Sequence, residues 1–242
     1  MTRAAIIAAI PGELRPLVRG WAHERRGNVH LWRLKRDEGD EWVAACGGAG
    51  VNAASKAFAE VEKDGPVDLA ISTGWAGALS EDFATGRAFH VSLVVDARTG
   101  ERFEASLLSH PAAFLVTSSV VAGEQEKQRL AAAYGPGLVD MEAAGVARLA
   151  AMRGIPFYCV KGVSDGFRDR LPDFNRFISA NGQFMLPGFV LYSILRPWHW
   201  PSLMRMGENS RKAAGEIAEL LCEILNQRGI IGKSNGYPDL KH

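Results

Sequence analysis

Val139-Asp140-Met141-Glu142-Ala143-Ala144 and, 23 residues after Glu142, Val163-Ser164-Asp165 are the two stretches that decide the fold. Between them lie a helix-like block, residues 141–153, then a glycine and an apolar strand-like run. This order predicts a helix followed by a strand that ends at Asp165. Open α/β sheets bind ligands at the carboxyl ends of their strands, so an acid at that position is expected to face a substrate.

Strand and helix patterns alternate outward from this unit. Strands are predicted at residues 4–10, 29–35, 41–46, 67–73, 88–95, 114–121 and 155–163, and helices at residues 13–21, 51–63, 124–134 and 141–153. The alternation predicts an α/β fold: a single three-layer domain, residues 1–228, with a mixed central sheet and helices on both faces. Residues 229–242, rich in Gly, Lys and Asn, are predicted to form a flexible tail.

Composition favours a small-molecule function. The chain has 242 residues, 47% hydrophobic and 23% charged, which suits one α/β domain with an ordinary core. Its 28 basic and 27 acidic side chains give a net charge of +1, so no strong electrostatic field would recruit nucleic acid. We therefore expect no nucleic-acid partner.

Cysteine and histidine patterns predict a cytoplasmic protein that needs no metal. The six histidines have no ligand-like spacing. Cys46, Cys159 and Cys222 are far apart in apolar contexts, which is typical of buried thiols in a reducing cytosol. The opening apolar run, residues 4–10, is too short for a secretory signal and is better explained as the first strand.

A glycine-rich turn, residues 46–54, follows a predicted strand and would present backbone N–H groups to an anion. Gly48, Gly50 and Ala53 match the dinucleotide fingerprint, so a nicotinamide-dependent oxidoreductase is an alternative function. However, the next strand ends at residues 71–74 without the acid that would hold an adenosine ribose, and the fingerprint belongs on the first strand. A tight turn with close helix packing is the other explanation.

Two more segments place candidate groups at strand ends. Glu13 follows the first predicted strand, although an acid in a first helical turn is also stabilised by the helix dipole. Residues 72–79 form a small-residue bend after a buried strand, interrupted by Trp75, which would equally suit a core aromatic.

Local explanations also exist for the two acids of the opening stretches. Glu142 lies in the first turn of a predicted helix that Asp140 would cap, where the dipole again favours a carboxylate. Ser164 and Asp165 after a strand are typical of a helix cap or a turn. These residues point to function through their combination, not singly.

The combination resembles the superfamily of purine nucleoside phosphorylases and methylthioadenosine nucleosidases. The similarity runs from about Ala4 to Asp169 and lies in the order of several motifs. These motifs are the glycine turn with Gly47, Asn52 and Ala53, the segment Thr73 to Ala78, the Met141-Glu142 helix, and Ser164-Asp165. The sequence departs from the family at Pro11 and Gly12, at Ala49, at Trp75, and at residues 120–123, where family members stack an aromatic residue on the base.

The resemblance implies cleavage of the N-glycosidic bond of a purine nucleoside, without a metal or cofactor. Asp165 would protonate the departing base; this requires a raised pKa, and desolvation at the end of an apolar strand acts in that direction. Glu13 would deprotonate water, or hold a sugar hydroxyl if phosphate attacks. Glu142 would bind the ribose hydroxyls and stabilise the oxocarbenium ion, with Met141 against the sugar. The other substrate-binding residues that it implies are Thr73, Gly74, Trp75 and Ser164.

The nucleophile is either water or phosphate. Trp75 stands where the phosphorylases have a serine that helps to hold phosphate, which favours water. Arg15, Arg87 and Lys161 are the cations that would otherwise hold a phosphate.

Within the superfamily, the chain most resembles the hopanoid-associated phosphorylases. The similar features are the compact central region, the run Thr117 to Gly123, the V-D-M-E-A-A block and the segment R-P-W-x-W-P-S-L-x-R that starts at Arg196. Those enzymes remove adenine from adenosylhopane, a nucleoside that carries a triterpenoid. The resemblance also implies a homo-oligomer. The alternatives are an enzyme for soluble nucleosides such as methylthioadenosine, adenosine or futalosine, and a non-catalytic nucleoside-binding protein.

Residues 182–195 and the Trp198 and Trp200 that follow form an apolar region that Gly and Pro interrupt, too short to span a bilayer. An interior helix is one explanation. The other is an apolar entrance for a large 5′ substituent, or a peripheral contact with the inner membrane surface through the tryptophans, Arg196 and Arg205.

Overall fold

The protein, analysed as a computed structural model, is described at residues 2–35, 39–107, 112–179, 182–185, 188–189, 192 and 194–225. Its strands are β1 (Arg3–Ala8), β2 (Ala22–Arg26), β3 (Val29–Lys35), β4 (Glu41–Cys46), β5 (Leu69–Ala78), β6 (Ala88–Asp96), β7 (Arg102–Glu104), β8 (Ala113–Thr117), β9 (Leu138–Asp140) and β10 (Phe157–Asp165). Its α-helices are α1 (Pro11–Leu14), α2 (Val51–Glu62), α3 (Glu124–Tyr134), α4 (Ala143–Arg153) and α5 (Trp200–Leu225). Short 3-10 turns lie at Phe174–Phe177 and Pro197–His199.

All ten described strands belong to one mixed sheet. β1 pairs in parallel with β4 and β5, and β5 pairs in parallel with β10. β10 also pairs with β6, and the chain of pairings through β8 and β9 returns to β5. Five strands therefore close a ring, while β4, β3 and β2 extend the sheet beyond β1. The parallel strands β1, β5 and β10 bring their carboxyl ends to the same edge.

Two apolar cores cover the two faces of the sheet. Successive residues of a strand point to opposite faces, so Ala5 and Ile7 pack in the core that contains α2 and α4. Ala4 and Ile6 pack in the other core, which contains Leu14 of α1 and the buried face of α5. This arrangement confirms the predicted mixed α/β domain with helices on both faces.

The final helix approaches the sheet very closely. A Cβ atom on Gly162 of β10 would lie 2.8 Å from the Cβ of Ala213 and 2.8 Å from Ile217. Such distances leave no room for a side chain, so glycine at this position lets α5 lie directly on the strand that ends in Asp165.

Several predicted bounds were wrong, each for a local reason. The helix expected at residues 13–21 is limited to α1. The strand expected to end at Thr73 continues to Ala78, because β10 and β9 pair with its second half. The strand expected at residues 114–121 ends at Thr117. β2, β7 and β9 were missed because they are short, and β2 is charged and exposed, as edge strands often are.

Two of the three cysteines lie as expected. Cys46 and Cys159 are buried, and burial raises the pKa of each thiol to about 12, whereas Cys222 is half-buried. The tail predicted at residues 229–242 lies outside the described residues, as does part of the apolar segment 182–195. Within the described ranges, no helix has the length and apolarity that a membrane span requires.

Candidate active site

A cavity of about 150 Å³ lies at the strand ends and collects most of the predicted site residues. Six of the eight line it: Glu13, Trp75, Met141, Glu142, Ser164 and Asp165. They come from four separate parts of the chain, so the fold and not sequence proximity brings them together. Thr73 and Gly74 are not among its lining residues.

Asp165 ends β10 at one side of the cavity and is 7% exposed. Its Oδ1 accepts a hydrogen bond of 2.6 Å from the Ser164 hydroxyl. Its Oδ2 accepts one from the ammonium group of Lys127, which is itself buried. The predicted orienting role of Ser164 therefore has a geometric basis, whereas the carboxyl is not in the purely apolar surroundings expected from the strand sequence.

Lys127 was missed by the sequence reasoning. It lies on α3, three residues before Leu130, and these two are the buried residues of that helix. A lysine one turn from a buried leucine, on an otherwise polar helix, was the available signal. It was weak, because lysines at such positions usually extend to solvent.

Glu13 lies on α1 with its carboxylate held by three backbone N–H groups. Oε2 accepts from Ala9 at 2.8 Å and from Ile10 at 2.9 Å, and Oε1 accepts from Trp75 at 2.8 Å. The bond from Ile10 is that of a capping box, so the local explanation holds in part. Burial raises the pKa of Glu13, although these hydrogen bonds and nearby Lys161 act in the opposite direction.

Gly74 lies against the carboxylate of Glu13 and leaves space for it. Its φ of +125° is in a region that side chains disfavour, and a Cβ there would lie 2.7 Å from Oε1 of Glu13. The glycine predicted to bind substrate therefore makes room for Glu13. Thr73 is also placed behind the cavity, where its carbonyl accepts a 3.0 Å hydrogen bond from Lys161.

Glu142 faces the cavity beside the start of α4. Its Oε1 accepts a 2.7 Å hydrogen bond from the N–H of Gly50, so the glycine-rich turn holds one of the protein's own carboxylates. Burial, followed by the charge of neighbouring Asp140, raises the pKa of Glu142 to about 8. Lys161 lowers it and Glu13 raises it further.

Asp140 and Lys161 form a buried ion pair of 2.9 Å below Glu142. Asp140 also accepts a 2.9 Å bond from the N–H of Ala143 and a 2.7 Å bond from the Thr117 hydroxyl. The prediction that Asp140 is the N-cap and that Glu142 lies in the first turn was wrong, because the helix begins at Ala143 and its N-cap is Glu142. Burial alone would lower the pKa of Lys161, but Asp140 and Glu142 among its neighbours raise it above its ordinary value. The ammonium group of Lys161 therefore stays charged, and its contacts are with Asp140 and the carbonyl of Thr73.

One side of the cavity is aliphatic, because Val120, Val121 and Ala122 line it. This is the segment where the resemblance noted in the sequence implied an aromatic residue. Asn175 exchanges hydrogen bonds of 2.8 and 3.1 Å with the backbone of Val121, which fixes this segment. Trp75 closes another side: its indole donates a 2.9 Å bond to the carbonyl of Ser210 on α5.

A larger cleft of about 730 Å³ adjoins the cavity and shares Met141 with it. Its lining is about half polar and includes Lys56, Asp96, Arg98 and Gln183. Among the described residues that line the smaller cavity there is no arginine or lysine, so the three cations considered for phosphate do not border it.

Comparisons with known proteins agree with this geometry. A family model described as the phosphorylase superfamily matches residues 91–184, which include Glu142 and Asp165. A search of curated proteins gives no match. Among solved structures, the 5′-methylthioadenosine/S-adenosylhomocysteine nucleosidase of Helicobacter pylori, bound to butyl-thio-DADMe-Immucillin-A, aligns with a TM-score of 0.69 at 15% identity over 94% of this chain and 99% of that chain.

Two further structures give the same result. Futalosine hydrolase of Helicobacter pylori aligns with a TM-score of 0.69 at 14% identity, over 93% of this chain and 98% of that chain. S-adenosylhomocysteine nucleosidase of Streptococcus pyogenes, bound to 5-methylthiotubericidin, aligns with a TM-score of 0.69 at 17% identity, over 93% and 97%. The chain therefore has the fold of nucleosidases, which are enzymes, and its residues 91–184 are similar to the phosphorylase superfamily.

Proposed function

We propose that this protein is an enzyme that cleaves the N-glycosidic bond of a purine nucleoside. The observation that carries the proposal is the meeting of three carboxyl groups, Glu13, Glu142 and Asp165, in one small cavity at the strand ends. The fold, shared with nucleosidases, supports the same conclusion.

Asp165 acts on the base. An anionic purine leaves poorly, so the base must be protonated as its bond to ribose stretches. Asp165 delivers this proton to a ring nitrogen, the electron pair of the C–N bond moves to the base, and Ser164 holds the carboxyl in position. The aliphatic segment from Val120 to Ala122 contacts the base face and excludes water from it.

Glu142 and Glu13 act on the sugar and the nucleophile. Glu142 binds the ribose hydroxyls, and its ionised form stabilises the positive charge that develops on the ribose. Oε1 of Glu13 accepts one N–H, so it retains an acceptor position for a water molecule. The raised pKa of Glu13 makes it a stronger base, and it takes the proton of the water that attacks C1′.

Water is the proposed nucleophile. Trp75 replaces the phosphate-holding serine, and its indole borders the cavity. The test is to incubate the enzyme with adenosine, inosine, methylthioadenosine and futalosine, with and without phosphate, and to measure free base and sugar products. We expect a free reducing sugar in phosphate-free buffer. Ribose 1-phosphate formed in proportion to added phosphate would establish phosphorolysis instead.

The finer proposal is a nucleoside whose 5′ carbon carries a large apolar group, as in adenosylhopane. Met206 of α5 lines the cavity, and Met204, Trp200, Trp198 and Leu195 nearby in sequence are exposed by 49 to 75%. An apolar surface of this kind, with exposed Arg205, suits a substituent embedded in a membrane. In this proposal a cytoplasmic homo-oligomer works at the inner membrane surface.

A soluble nucleoside is the second candidate, favoured by the polar cleft. A 5′ group that leaves the cavity past Met141 would meet Lys56, Asp96 and Arg98, which suit polar substituents. Two measurements distinguish the candidates: cleavage of a nucleoside with a long 5′-alkyl chain, and sedimentation of the protein with liposomes. The lipid-linked proposal expects a long 5′-alkyl chain to be accepted and the protein to sediment with liposomes, with Trp198→Ser and Trp200→Ser reducing sedimentation. If sedimentation fails and the alkyl chain abolishes cleavage, the substrate is soluble.

A further inference from the structure

Lys127 occupies a position that α3 itself disfavours. It lies in the first turn of the helix, where the dipole repels a cation, and its side chain is 1% exposed. Burial of an ammonium group is costly unless it is paired and hydrogen-bonded. A strong compensating interaction is therefore required.

The compensation comes from the end of β10. The ammonium group donates to Oδ2 of Asp165 and, at 2.6 Å, to the carbonyl of Gly166. Ser164 holds the other carboxylate oxygen. The carboxyl of Asp165 is thus fixed at both oxygens, once by its own strand and once by a helix 38 residues away in sequence.

Folding stability alone does not explain the buried ion pair between Lys127 and Asp165. Buried ion pairs are often no more stable than well-packed apolar residues of similar volume, because desolvation offsets the attraction. Asp165, however, borders the cavity where the proposed proton transfer occurs, and Lys127 contacts it from behind the lining.

We propose that Lys127 is a positioning residue for the general acid, an inference that rests on the proposed function. It orients Asp165 and stabilises the carboxylate that remains when the proton has moved to the base. The proton enters Asp165 from water when substrate binds, passes to the base nitrogen, and leaves with the free base. Lys127 keeps its own protons throughout, so the step balances without a further reactant.

Other charges surround the pair. Glu13, Asp140 and Glu142 line the same cavity, Lys161 is paired with Asp140, and Asp169 accepts a 2.7 Å bond from the N–H of Gly166. All of them are retained when Lys127 alone is changed, so a shift in the pH profile between variants reports the loss of this ammonium group.

The experiment compares Lys127→Met, Lys127→Arg and the surface control Lys63→Met. Lys63 also pairs with a carboxylate, Glu60, but its side chain is 63% exposed. We expect Lys127→Met to lower kcat by about 10- to 100-fold with KM changed by less than about threefold. The pH–rate profile of Lys127→Met should differ from that of the wild type, because a charged group in contact with the Asp165 carboxyl is gone. Lys127→Arg should keep the wild-type profile, and Lys63→Met should change neither property.

Two further measurements separate positioning from a purely structural role. In an Asp165→Asn background, Lys127→Met should have no additional effect on kcat, since Lys127 acts through that carboxyl. Infrared difference spectra between the wild type and Lys127→Met should show a shifted carboxylate stretching band, because one oxygen of Asp165 loses its hydrogen-bond donor, and this shift should be absent when the same pair is compared in an Asp165→Asn background. This readout needs no turnover.

Each outcome has a separate meaning. A folded Lys127→Met enzyme with wild-type kcat and pH profile would overturn the role of Lys127 and leave the proposed function intact. Equal losses of kcat from Lys127→Met with and without Asp165 would overturn it as well. A wild-type protein that cleaves no nucleoside would instead contradict the proposed function, while the infrared comparison would still report on the pair.

Discussion

The two ends of the cavity, which the proposed function assigns to the base and to the sugar, hold buried carboxyl groups in opposite electrostatic environments. At the base end, Asp165 contacts the ammonium group of Lys127. At the sugar end, Glu142 contacts backbone N–H groups and lies close to the charge of Asp140, and its pKa is raised to about 8. Both carboxyls are almost fully buried, so their environments differ mainly in the sign of the nearest charge.

This difference suits the two tasks of the proposed reaction, which are protonation of the base and stabilisation of the positive charge on the ribose. The base end must lose a proton and keep a stable carboxylate, which a cation assists. In the proposed reaction the sugar end must accommodate a developing positive charge, and the ionised forms of the acids gathered there, Glu13, Asp140 and Glu142, provide the complementary potential. Lys161 balances one of these acids from beneath, so the network remains compatible with folding.

The largest expected effect is at the base end. Asp165→Asn keeps the shape of the side chain but removes the transferable proton, so kcat should fall by about 10²- to 10⁴-fold. Steady-state release of free base measures this, with circular dichroism to verify folding. A variant that retains near-wild-type kcat on a purine nucleoside would remove Asp165 from the mechanism.

The next effect concerns how the sugar end is built. Gly74→Ala places a Cβ against Oε1 of Glu13, so it should destabilise the fold by about 2–3 kcal/mol and displace the carboxylate. Gly100→Ala is the matched control, because it also has a positive φ, +76°, but open space around it. We expect the control to cost only about 1 kcal/mol in urea unfolding. Equal costs for both variants would mean that Glu13 is not confined as described.

A third effect is the pH dependence of stability from Glu142. Its folded-state pKa, about 8, lies above the ordinary 4.5, so the folded protein holds a proton that the unfolded chain has lost. Its stabilising contribution is complete below the ordinary pKa and disappears as the pH rises through about 8. Wild-type unfolding free energy should therefore fall over this range more steeply than that of Glu142→Gln. Parallel curves for the two proteins would contradict the raised pKa.

Sequence patterns predicted the helix and sheet layers of the fold better than the closing of the sheet into a ring. Continuous apolar runs in β1 and β4 predict strands that are buried on both faces, and helical spacing of apolar residues in α2 predicts a helix that packs on one of them. The ring of five strands, β5, β10, β6, β8 and β9, depends on which strands meet in space. Short β9 has three residues, too few to show a period, yet it carries Asp140.

In the candidate site, too, the sequence predicted individual residues better than the contacts between distant parts of the chain. Strand ends and the family resemblance indicated Glu13, Glu142 and Asp165, all of which line the cavity. The charges that set their properties were not predictable in this way. Lys127 and Lys161 are recognisable only once the fold shows that their side chains are buried against carboxylates, since a lysine in sequence is normally a surface residue.

The central claim is that both ends act on one C–N bond, and product analysis in phosphate-free buffer tests it most directly. The purified protein is incubated with methylthioadenosine and, separately, with adenosine carrying a long 5′-alkyl chain, and free adenine and reducing sugar are quantified together. We expect equimolar adenine and sugar from at least one of these substrates, and almost none with Asp165→Asn. Binding of the nucleosides, detected by calorimetry, with every molecule recovered intact would contradict cleavage and identify a nucleoside-binding protein instead.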